Sequence, residues 1–250
     1  MHNVSVNAAE RLEHACADAW PAVTEDTIGQ WRLRAAGGFT GRANSALAAG
    51  DPGVPIRRAL GQVRRFADAH RIPPVVQAVH GSTTEAALEA AGWRPHVEHP
   101  AGHDVVVLTG AVAPGASPDA RVLDHPTAGW WSLVLGEDTP GEAQRHVLTG
   151  APCVGYGVAE REGTTAAAGR GAVVGDMLHV ARLAVVTEHR RRGLARALMD
   201  ALGTWGHGLG ATHCALQVSL GNDAALTLYD RLGFAEHHRY RYWVPGPGAR

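Results

Sequence analysis

A chain of 250 residues with 45% hydrophobic and 19% charged side chains has ordinary globular composition, which excludes a disordered or fibrous protein. Its net charge of -1 at pH 7 provides no basic field to draw it onto nucleic acid or an anionic membrane. No apolar run reaches membrane-spanning length, the polar opening MHNVSVNAAERLEHA lacks a secretory core, and Cys16, Cys153 and Cys214 form no CxxC pair, so reduced thiols in a cytoplasmic protein are expected.

All 23 cationic side chains are arginine, a bias spread through every segment that reads as genome composition. In chain order, Arg42 and Asn44 stand in an expected hairpin and are candidates for acceptor contact. The turn Asp51-Pro52-Gly53-Val54-Pro55 has an acid and prolines, which disfavour anion binding. Arg57 to Ala69 then has the periodicity of an amphipathic helix, Val75 to Val79 reads as a strand, Thr84 to Ala91 as a helix and Val105 to Leu108 as a strand. His96, His99 and His103 lie around Pro95 and Pro100 without partnering cysteines or an HExxH helix, so they are expected to be solvated loop histidines, and no metal is expected.

The stretch Thr109 to Ala120 is rich in Gly, Ala, Pro and Ser and reads as a linker, with its core at 113–120. It separates an expected domain over 1–112 from one over 121–245, followed by a tail at 246–250. In the second domain Arg121 to Asp124 is an expected strand, Trp130 to Leu135 and Glu142 to Leu148 short helices, and Cys153 to Glu160 and Thr165 to Val174 strands. Adjacent Trp130 and Trp131 cannot both face the core of one helix, so one is expected to line a substrate pocket, with interface or core places for the pair as the alternative.

Strand Met177 to Val186 leads into Arg190-Arg191-Arg192-Gly193-Leu194-Ala195. There glycine permits a tight turn, and the next helix offers unpaired N–H groups beside three guanidinium charges, a combination that suits a pyrophosphate. Strand alternation puts His179, Ala181, Leu183 and Val185 on one face and Leu178, Val180, Arg182 and Ala184 on the other, so His179 should point where Val185 points. An imidazole of ordinary pKa about 6.5 suits deprotonation of an amine. A water chain to Asp176 or Glu160 is the rival base, and a histidine merely satisfied in the sheet is the structural alternative. Leu198, Leu202, Trp205 and Phe234 read as core, and Cys214 beside His213 forms no thiol dyad because neighbours on a strand face opposite sides.

The two halves also repeat. Gln77 precedes Gly81 by four residues as Gln217 precedes Gly221, and Gly92-Trp93 stands where Gly233-Phe234 stands. Leu88 occupies the place of Tyr229, so the first half lacks both the cationic turn and the phenol.

Residues Arg190 to Ala195 resemble the Arg/Gln-x-x-Gly-x-Gly/Ala signature of the GCN5-related N-acetyltransferase (GNAT) superfamily, and Asn222, Ala225, Leu228-Tyr229 and Gly233-Phe234 resemble its N-x-x-A-x-x-L-Y-x-x-x-G-F helix. The resemblance covers residues 121–244. It implies an α/β protein of two GNAT-like halves, each a mixed, mostly antiparallel sheet flanked by helices, with only the C-terminal half complete. It further implies that acetyl-CoA is held by Leu183, Ala184, Val185, Arg190, Arg191, Arg192, Gly193, Leu194, Ala195, Asn222 and Tyr229, with the Val185 N–H polarising the thioester carbonyl. His179 falls where histone-modifying members carry a glutamate and arylalkylamine-acetylating members a histidine, which implies the base, and Tyr229 would give a proton to the departing thiolate. The resulting expectation is direct acetyl transfer to a primary amine of a small molecule by a monomer or homodimer. Acetylation of a protein or peptide, and a non-catalytic acyl-CoA sensor, are the alternatives.

Overall fold

A computed structural model describes residues 4–115 and 117–248. Position 116 of the expected linker and positions 249 and 250 of the expected tail lie outside the described residues. In chain order the elements are α1 (Val6–Asp18), β1 (Thr24–Ile28), β2 (Trp31–Ala35), β3 (Ala46–Leu47), α2 (Ile56–Ala69), β4 (Val76–Val79), α3 (Thr83–Ala90), β5 (Trp93–Pro95) and β6 (Asp104–Ala111). There follow β7 (Arg121–Leu123), α4 (Ala128–Leu135), α5 (Glu142–Thr149), β8 (Val154–Arg161), β9 (Thr164–Val174), β10 (Met177–Val185), α6 (Leu194–Gly208), β11 (His213–Ser219), α7 (Asp223–Arg231) and β12 (Ala235–Pro245).

Contacts divide the chain into two compact units, which differ from the expected linear halves. The first comprises Met1–Val107 with Gln217–Leu226 and Glu236–Arg250, and the second Leu108–Leu216 with Thr227–Ala235. Strand β12 therefore belongs with the first unit. The reason is visible in β12, whose Tyr240 to Trp243 pair antiparallel with Val79 to Val76 of β4 and whose Trp243 to Pro245 pair with β5.

In the first unit β1, β2, β3, β4 and β12 follow one another as neighbours, and the β3–β4 pairing is parallel. One face carries Leu33, Ala46, Val76, Ala78 and Trp243, buried together with Ala59, Leu60 and Val63 of α2 and Leu88 of α3. The other face meets α1, whose buried stripe is Ala9, Glu13, Cys16 and Ala17. Glu13 is 1% exposed and Arg34 2%, and neither is stranded. Arg34 donates to Ser45 and to Gln77 Oε1 at 2.8 Å, Gln77 donates onward to Glu13, and His238 Nε2 lies 3.1 Å from the Glu13 carboxylate. Burial lowers the pKa of Arg34. The expected loop histidines are less solvated than composition suggests, since His99 is half-buried and stacked on Tyr242 at 4.5 Å.

The repeated helix–strand–helix segments share their end geometry. Ser82 caps α3 by accepting the Glu85 N–H at 3.1 Å, and Asn222 accepts the Ala225 N–H at 3.2 Å at the start of α7. Both helices then end on a left-handed glycine, Gly92 at φ 82 and Gly233 at φ 80.

In the second unit β7, β8, β9 and β10 are successive antiparallel neighbours, and β10 pairs parallel with β11. Helix α6 packs on one face, where Leu198 and Leu202 are fully buried and each stabilises the unit by roughly 2 kcal/mol. Small residues permit that approach: a Cβ at Gly171 would lie 3.1–3.2 Å from Leu202, Leu178 and Trp205. The opposite face is covered by α4 and α5. Trp130, fully buried, donates its indole N–H to Gly169 O at 3.0 Å, and Arg170 Nε donates to Leu148 O at 2.8 Å. Among the described residues no helix is long and apolar enough to cross a membrane.

Candidate active site

The face assignment along β10 departs from simple alternation. Ala181 pairs with Arg170 but Ala184 with Ala168, so three steps along β10 match two along β9. Arg182 absorbs the extra residue at φ 60, a left-handed value uncommon outside glycine. Paired residues share a face, so His179, Ala181 and Ala184 lie with Ala172, Arg170 and Ala168, while Val185 lies with Ala167 on the other side. The expectation that His179 points where Val185 points is therefore corrected by the bulge. His179 faces α4 and α5, and Val185 belongs to the α6 face, packed with Leu194 and Leu198.

The bulge also sets what the strand offers edge-on. Val186 N–H donates to Ala166 O at 2.9 Å, and successive residues of an antiparallel pair alternate toward and away from the partner, so the Val185 N–H faces away from β9. On that side the pairing of β10 with β11 covers only Met177 to His179 with His213 to Ala215. Leu183, Ala184 and Val185 lie past the last of these positions and are half-buried.

Beyond β10 a short 3-10 turn, Thr187–His189, leads to Arg190, Arg191, Arg192 and Gly193, all exposed. Arg190 Nε reaches back to Val185 O at 3.3 Å. Arg191 at φ 64 and Gly193 at φ 81 are both left-handed. Gly193 is the N-cap of α6 and no side chain caps the helix, so its first N–H groups meet solvent beside three guanidinium groups, as an anion site requires. Leu194, 2% exposed, anchors the turn beneath the strand, and Ala195 is half-buried next to it.

Tyr229 on α7 is 6% exposed and lies edge-on to Phe234 at 5.8 Å. Burial, and secondarily Cys214, push its pKa up to about 12. Burial likewise raises the pKa of the Cys214 thiol, which suits an inert core cysteine better than a nucleophile. Asn222, at the other end of the same helix, belongs with the first unit and serves as its cap.

Both tryptophans of α4 are buried, Trp130 at 0% and Trp131 at 5%. Trp130 faces the sheet, whereas Trp131, edge-on to it at 5.0 Å, lies under the guanidinium of Arg145 from α5 at 5.9 Å. The helix is thus covered on two sides. Trp131 lines a cavity of about 500 Å³ together with Asp124, His125, Arg145, Val154 and Tyr156, which lies in the size range of small-ligand sites. Val154 pairs with Ala172 and Ala172 with His179, so the cavity wall and His179 share one face and one row, separated by two strand spacings, about 10 Å. Asp124, read from sequence as the end of a strand, and His125 lie just past β7 and were not singled out as cavity-lining because no periodicity marks them.

A family model described as "Probable histone acetyltransferase Rv0428c C-terminal" matches residues 8–243. The chain belongs to this family. This N-acetyltransferase is 30% identical over 249 residues to the probable histone acetyltransferase Rv0428c of Mycobacterium tuberculosis, a match covering 96% of the chain and 74% of that protein. It is 24% identical over 240 residues to the uncharacterized N-acetyltransferase YobR of Bacillus subtilis, covering 91% and 96%. The solved structure of a GCN5-related N-acetyltransferase from Kribbella flavida superposes with a TM-score of 0.70 at 18% identity over 96% of both chains, a likeness of fold. The fold is thus the mixed α/β fold of the GNAT enzymes, and acetyl-CoA is the cofactor. The residues present fit that group: the uncapped α6 N-terminus and arginine turn suit its phosphates, and the outward main chain of Leu183 to Val185 suits its amides.

Proposed function

We propose that the protein transfers the acetyl group of acetyl-CoA directly to the primary amine of a small molecule. The observation that carries this reading is the pairing of β10 with β9, which sets His179 on the face that holds the cavity, while past the bulge Val185 keeps its N–H directed out of the sheet edge. The cofactor supplies an activated acyl carbon as a thioester. The Val185 N–H stabilises negative charge at a carbonyl oxygen, and being part of a strand it needs no reorganisation to do so. His179 takes the proton that an amine must lose before its lone pair can attack. Tyr229, protonated throughout the physiological range because of its raised pKa, keeps a proton for the departing sulfur. Leu183, Ala184, Arg190, Arg191, Arg192, Gly193, Leu194 and Ala195 serve the cofactor, and Trp131 serves the acceptor cavity. Trp130, donated to the sheet, serves packing.

A protein acceptor is the second reading, favoured by the name of the Mycobacterium tuberculosis relative. The size of the cavity, about 500 Å³, supports the small molecule. For the repeat in the first unit we propose a supporting role without a second cofactor site, because Pro55, the N-cap of α2, follows an acidic turn rather than an arginine turn. Initial-rate kinetics with both substrates varied test the direct route. Intersecting reciprocal plots are expected, and parallel plots with an acetylated enzyme seen by mass spectrometry would overturn it.

A further inference from the structure

The cavity of the second unit carries more chemistry than its size of about 500 Å³ expresses. Its aromatic residues belong to one run of edge-to-face rings: Tyr156 meets Trp130 at 5.2 Å, and Trp130 meets Trp131 at 5.0 Å. Tyr156 and Trp131 line the cavity together with Val154 and Pro152, so an apolar body can lie against them. Trp130 touches both lining rings and fixes them.

A charge of opposite sign stands at each end of this run. Leu123 pairs with Tyr156 across β7 and β8, and Asp124 follows it directly. Arg145 of α5 stands over Trp131, its guanidinium 5.9 Å from the ring centre. Among the described lining residues Asp124 is the one carboxylate and Arg145 the one guanidinium. They do not pair with each other, and among the described residues neither enters an ion pair, whereas Arg121, Arg161 and Arg196 of the same unit each face a carboxylate. Two opposite charges that border one ligand-sized space without closing on each other leave both to a ligand, and Arg binds carboxylates through paired N–H groups.

The phenol of Tyr156 is the third polar group. The residue is 3% exposed and lines the cavity. Its neighbours are the Trp130 edge and the charge of Arg170, and among the described residues its hydroxyl has no hydrogen-bond partner. A nearly buried hydroxyl is costly when left so, and a ligand oxygen in the cavity would pair it. Burial raises its pKa, so at pH 7 the phenol keeps its hydrogen to donate.

We propose that this cavity binds a zwitterion of amino-acid type with an apolar side chain: its ammonium on Asp124, its carboxylate on Arg145 and the Tyr156 hydroxyl, its side chain against Trp131 and Val154. The zwitterion belongs either to the acceptor, beside a separate reacting amine, or to a second ligand. The proposal rests on the reading of the cavity as a small-molecule site, and it is tested by binding alone. Isothermal titration calorimetry on the whole protein compares L-phenylalanine, phenethylamine and 3-phenylpropionate, which carry both charges, the cation and the anion. Phenylalanine should bind saturably with Kd on the order of 0.1–1 mM, about tenfold more tightly than either single-charge compound. Asp124→Asn should weaken phenylalanine and phenethylamine about tenfold and leave phenylpropionate unchanged, and Arg145→Gln should weaken phenylalanine and phenylpropionate and leave phenethylamine unchanged. Tyr156→Phe, which keeps the ring, should weaken the two carboxylates about fivefold. No saturable binding of phenylalanine, equal binding of the three compounds, or charge variants that weaken all three alike overturns the proposal whether or not any amine is turned over. Phenylalanine added during turnover distinguishes the sources: competition with the amine places the zwitterion on the acceptor, and non-competitive inhibition places it on a second ligand.

Discussion

Gln77 and Gln217, each four residues before a glycine in the repeated segments, donate their side-chain amides to one carboxylate, that of Glu13. Helix α1 thus inserts a single acid between two equivalent strand positions, and the same acid faces His238 and the buried charge of Arg34 through Gln77. Replacement of Glu13 by Gln keeps the shape but leaves Arg34 without its nearby negative charge. The expected loss of stability is about 3 kcal/mol, read as a lower thermal midpoint by circular dichroism. An unchanged midpoint contradicts this role.

Gly193 is left-handed and opens the helix that faces the arginine turn. Gly193→Val introduces about 1–2 kcal/mol of backbone strain at the site of phosphate contact, so the KM for acetyl-CoA should rise about tenfold with little change in that for the amine. Binding of CoA should weaken as salt is added, and Arg192→Ala should flatten that dependence.

For Tyr229 the useful form is the protonated one, and its pKa is raised to about 12. Activity is therefore retained below that value and lost only as pH rises through it, so the rate profile should show no falling limb due to this group between neutrality and pH about 10. Tyr229→Phe should lower kcat by about 10- to 100-fold while leaving the KM for acetyl-CoA nearly unchanged. A variant with full kcat removes the phenol from the chemistry.

His179 is fully buried on the face that carries the cavity. His179→Ala should lower kcat/KM for the amine by about 100-fold or more while leaving acetyl-CoA binding nearly unchanged. Unchanged kcat/KM in a folded variant moves the base elsewhere.

The strand and arginine turn that we propose hold the cofactor were legible because their pattern is local: one glycine, three arginines and a strand before them are contiguous, and backbone donors need no distant partner. The facing of His179 was not, because the bulge falls on Arg182, and no glycine or proline marks the left-handed residue that reverses the alternation. Helix α1 escaped notice for a related reason. Its buried stripe is made of Ala9, Glu13, Cys16 and Ala17, small residues and an acid, which read as polar until Gln77, Gln217 and His238 supply the partners. The return of β12 to β4 is a pairing between distant segments, which no local pattern encodes, and so the linear division at the linker differs from the compact units.

Release of free thiol from acetyl-CoA, followed against a panel of small amines, amino acids and N-terminal peptides and repeated with His179→Ala and Tyr229→Phe, tests the central claim most directly. The account predicts turnover on one class of small amine that falls in both variants. Turnover confined to peptides, or tight acetyl-CoA binding with no turnover on any acceptor, contradicts it.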